Sequence, residues 1–99
     1  MNLIERYRND IHILCIKYNV SQLYVFGSVL TDQFAESSDI DLIVNFDTIK
    51  IDDFANNYYN LKFSLEDVFK RSVDLLEKKA MKNPYFIKSI ENQRRLVYG

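Results

Sequence analysis

The chain has no tryptophan, a single cysteine, proline and histidine, and only two glycines among 99 residues. One cysteine excludes an internal disulfide framework and a cysteine-rich zinc site, and one histidine has no second imidazole with which to bind zinc. Two glycines exclude the three-glycine turn of a dinucleotide-binding fold, and no P-loop lysine follows a glycine-rich run. No apolar run is long enough to cross a bilayer, and the amino-terminal stretch with Glu5 and Asp10 lacks a signal-peptide layout, so a cytoplasmic protein without a membrane partner is expected. An excess of one charge is missing too: 13 Lys and Arg stand against 14 Asp and Glu, for a net charge of -1. Without a global field there is no strong nucleic-acid signal, and any basic surface has to be local.

What is present is ordinary for a folded domain, with 47% hydrophobic and 27% charged residues, and residues 1–99 are expected to form one domain. Ile4, Tyr7, Ile11, Leu14 and Tyr18 recur at helical spacing and predict a helix over about 2–18. Cys15 and His12 fall within it, read as a core residue and a hydrogen-bonded or solvated position. Residues 21–26 predict a buried strand, Gly27-Ser28 a turn, the next ten residues a short helical turn and loop, and residues 39–46 a second strand. Asp52 or Asp53 can cap a helix that carries Phe54, Tyr58, Leu61, Leu65 and Phe69 to Arg71, with Tyr59 and Phe63 counted in its core stripe. A short strand follows at 72–76, then a helix from Asn83-Pro84 with Phe86, Ile87 and Ile90 on its apolar face, and Leu96-Val97-Tyr98 returns to the sheet. Alternating helices and strands predict an α/β (α+β) fold with a small mixed, partly parallel sheet flanked by helices.

The chemistry concentrates in Tyr24-Val25-Phe26-Gly27-Ser28 and, eleven residues after Ser28, Asp39-Ile40-Asp41-Leu42-Ile43-Val44. Carboxylates two apart on a strand share a face and repel, which invites a divalent cation. Viewed singly, Asp39 reads equally well as a turn residue after Ser37-Ser38, and Asp74 as a surface residue. Asp41 lies inside an apolar strand, where Asp is disfavoured. Gly27 permits a tight turn and close approach of a phosphate, and the Ser28 hydroxyl can donate to one. Magnesium takes oxygen ligands alongside substrate phosphates, and a pair of ions can serve both the entering and leaving oxygens. Asp39 and Asp41 would hold such ions, and Asp74 from another strand would complete the set and orient or deprotonate an attacking hydroxyl.

This pattern resembles the signature of the DNA polymerase beta-like nucleotidyltransferases, in which an apolar residue, Gly and Ser precede Asp, an apolar residue and Asp by about ten positions. It is similar above all to the minimal nucleotidyltransferases of prokaryotes, over nearly the whole chain. The resemblance implies the nucleotidyltransferase fold, Asp39, Asp41 and Asp74 as catalytic metal ligands, Gly27 and Ser28 as nucleotide-phosphate contacts, and magnesium with ATP as donor. It further implies an antitoxin that transfers AMP to a tyrosine of a HEPN-domain toxin partner. One departure is Val29-Leu30-Thr31-Asp32 where many relatives continue the turn with arginines. A catalytically silent partner-binding antitoxin, and a transferase acting on a small hydroxyl compound at a pocket built by a homo-oligomer, are the rival readings. Arg94-Arg95, Lys78-Lys79, Lys62, Lys70 and Arg71 read first as solvated positions, with Lys82 or Lys88 within conceivable reach of a nucleotide.

Overall fold

The computed structural model of the chain describes residues 2–27 and 38–99. The expected turn of helix after the Gly27-Ser28 turn, Ser28 itself and the Val29–Asp32 run lie outside the described residues.

Strands β1 (Val20–Phe26), β2 (Ile40–Phe46), β3 (Val73–Glu77) and β4 (Arg95–Tyr98) form one sheet in the order β3-β2-β1-β4. β1 pairs antiparallel with both β2 and β4, while β2 and β3 run parallel, so the sheet is mixed as the sequence predicts. A parallel pair requires a crossover. Helix α3 (Phe54–Phe69) supplies it, starting from an Asp53 cap whose carboxylate accepts the Asn56 amide at 3.3 Å. Its last residue is Phe69, two short of the predicted Arg71 stop, and Lys70 caps it in the left-handed conformation (φ 58°).

The amino-terminal helix is interrupted rather than continuous: α1 (Asn2–Arg6) and α2 (Arg8–Lys17) meet at Tyr7, whose ψ of 17° leaves helical geometry. The Tyr7 ring meets the Phe69 ring edge-on at 5.8 Å, and its carbonyl accepts the Ile11 amide at 2.9 Å. A tertiary aromatic contact with α3 thus accompanies the break in a segment that local periodicity reads as one helix. The predicted stripe is nonetheless the buried one, with Ile4, Ile11 and Cys15 in the core. Burial pushes the Cys15 thiol up to about 12, so it stays protonated.

One face of the sheet carries the main core. Leu23 and Val25 of β1, Ile40, Leu42, Val44 and Phe46 of β2, Val73 and Leu75 of β3, and Val97 of β4 join the inner residues of α1, α2 and α3. By strand alternation the opposite face receives Tyr24 and Phe26, Asp41, Ile43 and Asn45, and Asp74 and Leu76. Tyr59 and Phe63, counted in the core stripe from sequence, are instead about half exposed and stack on each other on the outside of α3. Helix α4 (Pro84–Gln93) begins at Asn83, whose side chain accepts the Tyr85 and Phe86 amides at 3.0 and 3.3 Å. Among its predicted apolar residues Ile90 is buried and Phe86 exposed.

Candidate functional site

Parallel pairing of β2 with β3 sets Asp41 directly beside Asp74. Across the other edge of β2, Asp41 faces Phe26, the last residue of β1. Directly paired residues share a face, so both acids emerge on the side away from the main core, at the end of the sheet where β1 stops and β2 begins. Asp39 stands just ahead of β2 and is exposed, as is Asp74, while Asp41 is partly covered.

The chain around Asp39 is tied down on both sides. The Ile40 amide donates to the Ser72 carbonyl at 3.0 Å, and the Arg71 guanidinium donates to the Ser38 carbonyl at 3.3 Å. On the partner strand, the Glu66 carboxylate of α3 accepts the Val73 amide at 2.9 Å, and the Tyr58 hydroxyl donates to the Leu75 carbonyl. Asp74 therefore sits between two backbone groups held by α3. The crossover helix fixes the third acid in place as well as joining the strands.

Gly27 completes the arrangement in a way its sequence reading did not foresee. Its φ is 76°, which L side chains rarely adopt, and a Cβ placed there would lie far inside contact distance of Asp41 Oδ2 and 3.3 Å from Asp41 Cγ. The close approach that needs glycine is that of the Asp41 carboxylate to the turn.

Asp41 has its carboxyl raised above the usual carboxylate range, first by burial, then by the charges of Asp74 and Asp39. Asp39 and Asp74, the other two acids predicted from sequence, are therefore both near enough to act on Asp41. They do not form a finished cation cage: among the described residues, no group of three or more His, Cys, Asp or Glu is gathered tightly enough to hold a metal ion by itself. A magnesium ion commonly takes only one or two protein carboxylates, the rest of its octahedron coming from water and substrate phosphates, and hard oxygen donors carrying uncompensated like charge fit that demand.

Functional candidates invisible to sequence reasoning are the groups reached only through tertiary contact. The Arg71 brace on Ser38 and the placement of Arg94 against Tyr24 join residues with no common local pattern. His12 behaves as the bland reading has it, with Nε2 within 3.2 Å of the Val97 carbonyl.

A mixed sheet with acids at the start of β2 and on the adjoining parallel strand defines a nucleotidyltransferase-like protein. The chain belongs to the polymerase beta nucleotidyltransferase family, whose model matches residues 9–99. It is 41% identical over 86 residues to a protein of Methanocaldococcus jannaschii provisionally named a protein adenylyltransferase, covering 87% of this chain and 83% of that one. A solved structure provisionally described as a minimal nucleotidyltransferase superposes with a TM-score of 0.77 at 25% identity, over 96% of this chain and 95% of the other. The fold also matches a chain in the complex of a tri-AMPylated Shewanella oneidensis HEPN toxin with MNT antitoxin, with a TM-score of 0.67 at 19% identity, over 97% of this chain and 72% of that one.

Proposed function

We propose that this protein is a magnesium-dependent nucleotidyltransferase that moves AMP from ATP to a tyrosine hydroxyl of a HEPN-domain toxin and thereby acts as its antitoxin. The observation that carries the reading is the register of Asp41 beside Asp74, with the Gly27 turn against the Asp41 carboxylate. The relatives support it further: one is named for protein adenylylation, and the Shewanella complex joins the same fold to an AMPylated toxin.

In this reading Asp39, Asp41 and Asp74 hold the ion together with the nucleotide's own phosphates. When bound, magnesium supplies stabilisation of the charge that develops on the phosphate oxygens. Gly27 and Ser28 hold the outer phosphates through backbone and hydroxyl donors. Asp74 orients the acceptor and takes the hydroxyl proton. The acceptor oxygen forms a bond to the α-phosphorus as the bond from that phosphorus to the oxygen bridging the β-phosphate breaks, and pyrophosphate leaves with the electron pair. Exposure of Asp39 and Asp74 suits a protein acceptor, which docks over an open face without a deep pocket.

The test is ATP labelled at the α-phosphate, incubated with the protein, magnesium and a HEPN-domain toxin. Label on a tyrosine of that product, lost when magnesium is chelated, is the expected result. Absence of label from both proteins overturns the reading.

A further inference from the structure

A cavity of about 450 Å³ lies along β3, the edge strand that carries Asp74, and is walled by Phe54, Tyr58 and Tyr59 of α3, Leu76 and Glu77 of β3, and Ala80. Leu76 shares the face of Asp74 and stands two residues, roughly 7 Å, further along the strand. Tyr58 links the two positions, because its hydroxyl donates to the carbonyl of Leu75 between them. Its phenol is raised above the ordinary tyrosine range, first by burial, then by the charges of Tyr59 and Asp74, so the cavity wall is within electrostatic reach of the third acid.

Strand order decides which reactant this cavity serves. In an in-line displacement the entering oxygen approaches the phosphorus opposite the leaving one. β1, with the Gly27 turn assigned to the outer phosphates, flanks β2 on one side, and β3 flanks it on the other. With the reacting phosphorus at Asp41, pyrophosphate departs on the β1 side and the acceptor hydroxyl arrives on the β3 side, where the cavity is. The wall is formed for side chains rather than for another strand, since α3 already takes two backbone groups of β3, the Val73 amide through Glu66 and the Leu75 carbonyl through Tyr58. At its rim Tyr59 stacks on Phe63, both about half exposed, and grouped exposed aromatics are characteristic of protein interfaces. Glu77 Oε1 is buried without a hydrogen-bond partner among the described residues, an acceptor that an incoming N–H satisfies.

We propose that the cavity between α3 and β3 docks the acceptor protein. A large apolar or aromatic side chain close to the target tyrosine inserts between Tyr59 and Leu76, an N–H of the same segment donates to Glu77, and the tyrosine hydroxyl is thereby brought to Asp74. This rests on the nucleotidyl-transfer reading above and adds the surface that selects the acceptor.

Transfer of labelled AMP to a HEPN-domain toxin, followed at varied toxin concentration, tests the assignment together with calorimetric titration of magnesium-ATP. Tyr59→Ala removes an exposed ring, and Ala80→Trp fills the cavity from an exposed position. Each is expected to raise the toxin KM at least about tenfold, the loss of an interface anchor. Glu77→Ala should raise it roughly tenfold, the loss of a hydrogen bond to a charged group. Magnesium-ATP affinity should be unchanged in all three, with circular dichroism establishing that each variant is folded. Unchanged toxin KM in any of the three overturns the assignment while leaving the nucleotidyl-transfer reading standing. Weakened magnesium-ATP binding in Tyr59→Ala or Ala80→Trp also overturns it, because the cavity then holds the nucleoside. Absence of transfer by the unaltered protein overturns both.

Discussion

The Asp41 carboxylate rests against the Cα of Gly27, in space that any other residue would fill with its own Cβ. One glycine thus answers two demands, a left-handed turn at the end of β1 and room for an acid on the neighbouring strand. Gly27→Ala is expected to lose at least about 1–2 kcal/mol of stability from the backbone alone, with further loss from the clash. Urea denaturation measures the stability, and a magnesium titration should show weakened binding because Asp41 has been pushed from its place.

Asp41 also makes a prediction about pH. Its carboxyl is raised in the folded protein, so between its unfolded and folded pKa values the native state binds more protons than the unfolded one. Stability therefore falls as pH rises through that window, and the whole cost of the charge is present above it. Asp41→Asn should melt at a higher temperature than the unaltered protein at neutral pH, with the difference shrinking in acid below the ordinary carboxylate range. A higher melting temperature paired with loss of AMP transfer is the expected outcome, measured by thermal melts across pH and by label transfer.

Asp39 and Asp74 are exposed, and their substitution should leave the fold alone. Asp39→Asn and Asp74→Asn are each expected to lower magnesium-dependent transfer by at least about a hundredfold, the scale on which positioned acid–base groups act. Their denaturation midpoints should equal or slightly exceed that of the unaltered protein, since each change removes a charge that repels Asp41.

The Tyr58 hydroxyl donates to the Leu75 carbonyl on β3, the strand at the edge of the sheet. Tyr58→Phe removes that donor and is expected to cost about 1 kcal/mol. Amide hydrogen exchange should quicken along β3 more than along β1, which has a partner on either side.

At Lys70 a side chain occupies a left-handed backbone position, φ 58°, at the end of α3. Lys70→Gly should relieve that conformation and stabilise the protein by about 0.5–1 kcal/mol. The denaturation midpoint reports it directly.

Residues with a strong local signature were legible before the fold was seen. Ile11, Leu61, Leu65 and Phe69 repeat at the helical period and are buried, and Asp53 and Asn83 cap the helices their positions suggest. Tyr59 and Phe63 misled because aromatic residues four apart look alike whether they face the core or stack on each other outside it. The break at Tyr7 was hidden for a different reason: it accompanies a contact with Phe69, distant in the chain. In the site, Asp39, Asp41 and Asp74 could be picked out because acids are conspicuous in or beside apolar strands. The contacts around them could not, since the Arg71 brace on Ser38 and the Arg94 guanidinium over Tyr24 depend on strand order rather than spacing.

The crossover that joins β2 to β3 has a kinetic side. Asp41 and Asp74 become neighbours only when α3 has closed a long loop, the kind of non-local pairing that comes late because its entropy is lost before contacts compensate. Until then the nascent chain carries its acids apart, without their mutual repulsion. The charge that the finished site concentrates therefore opposes the closing of that crossover, and a cation or nucleotide captured once it has closed would act as a latch on the folded state, slowing its unfolding.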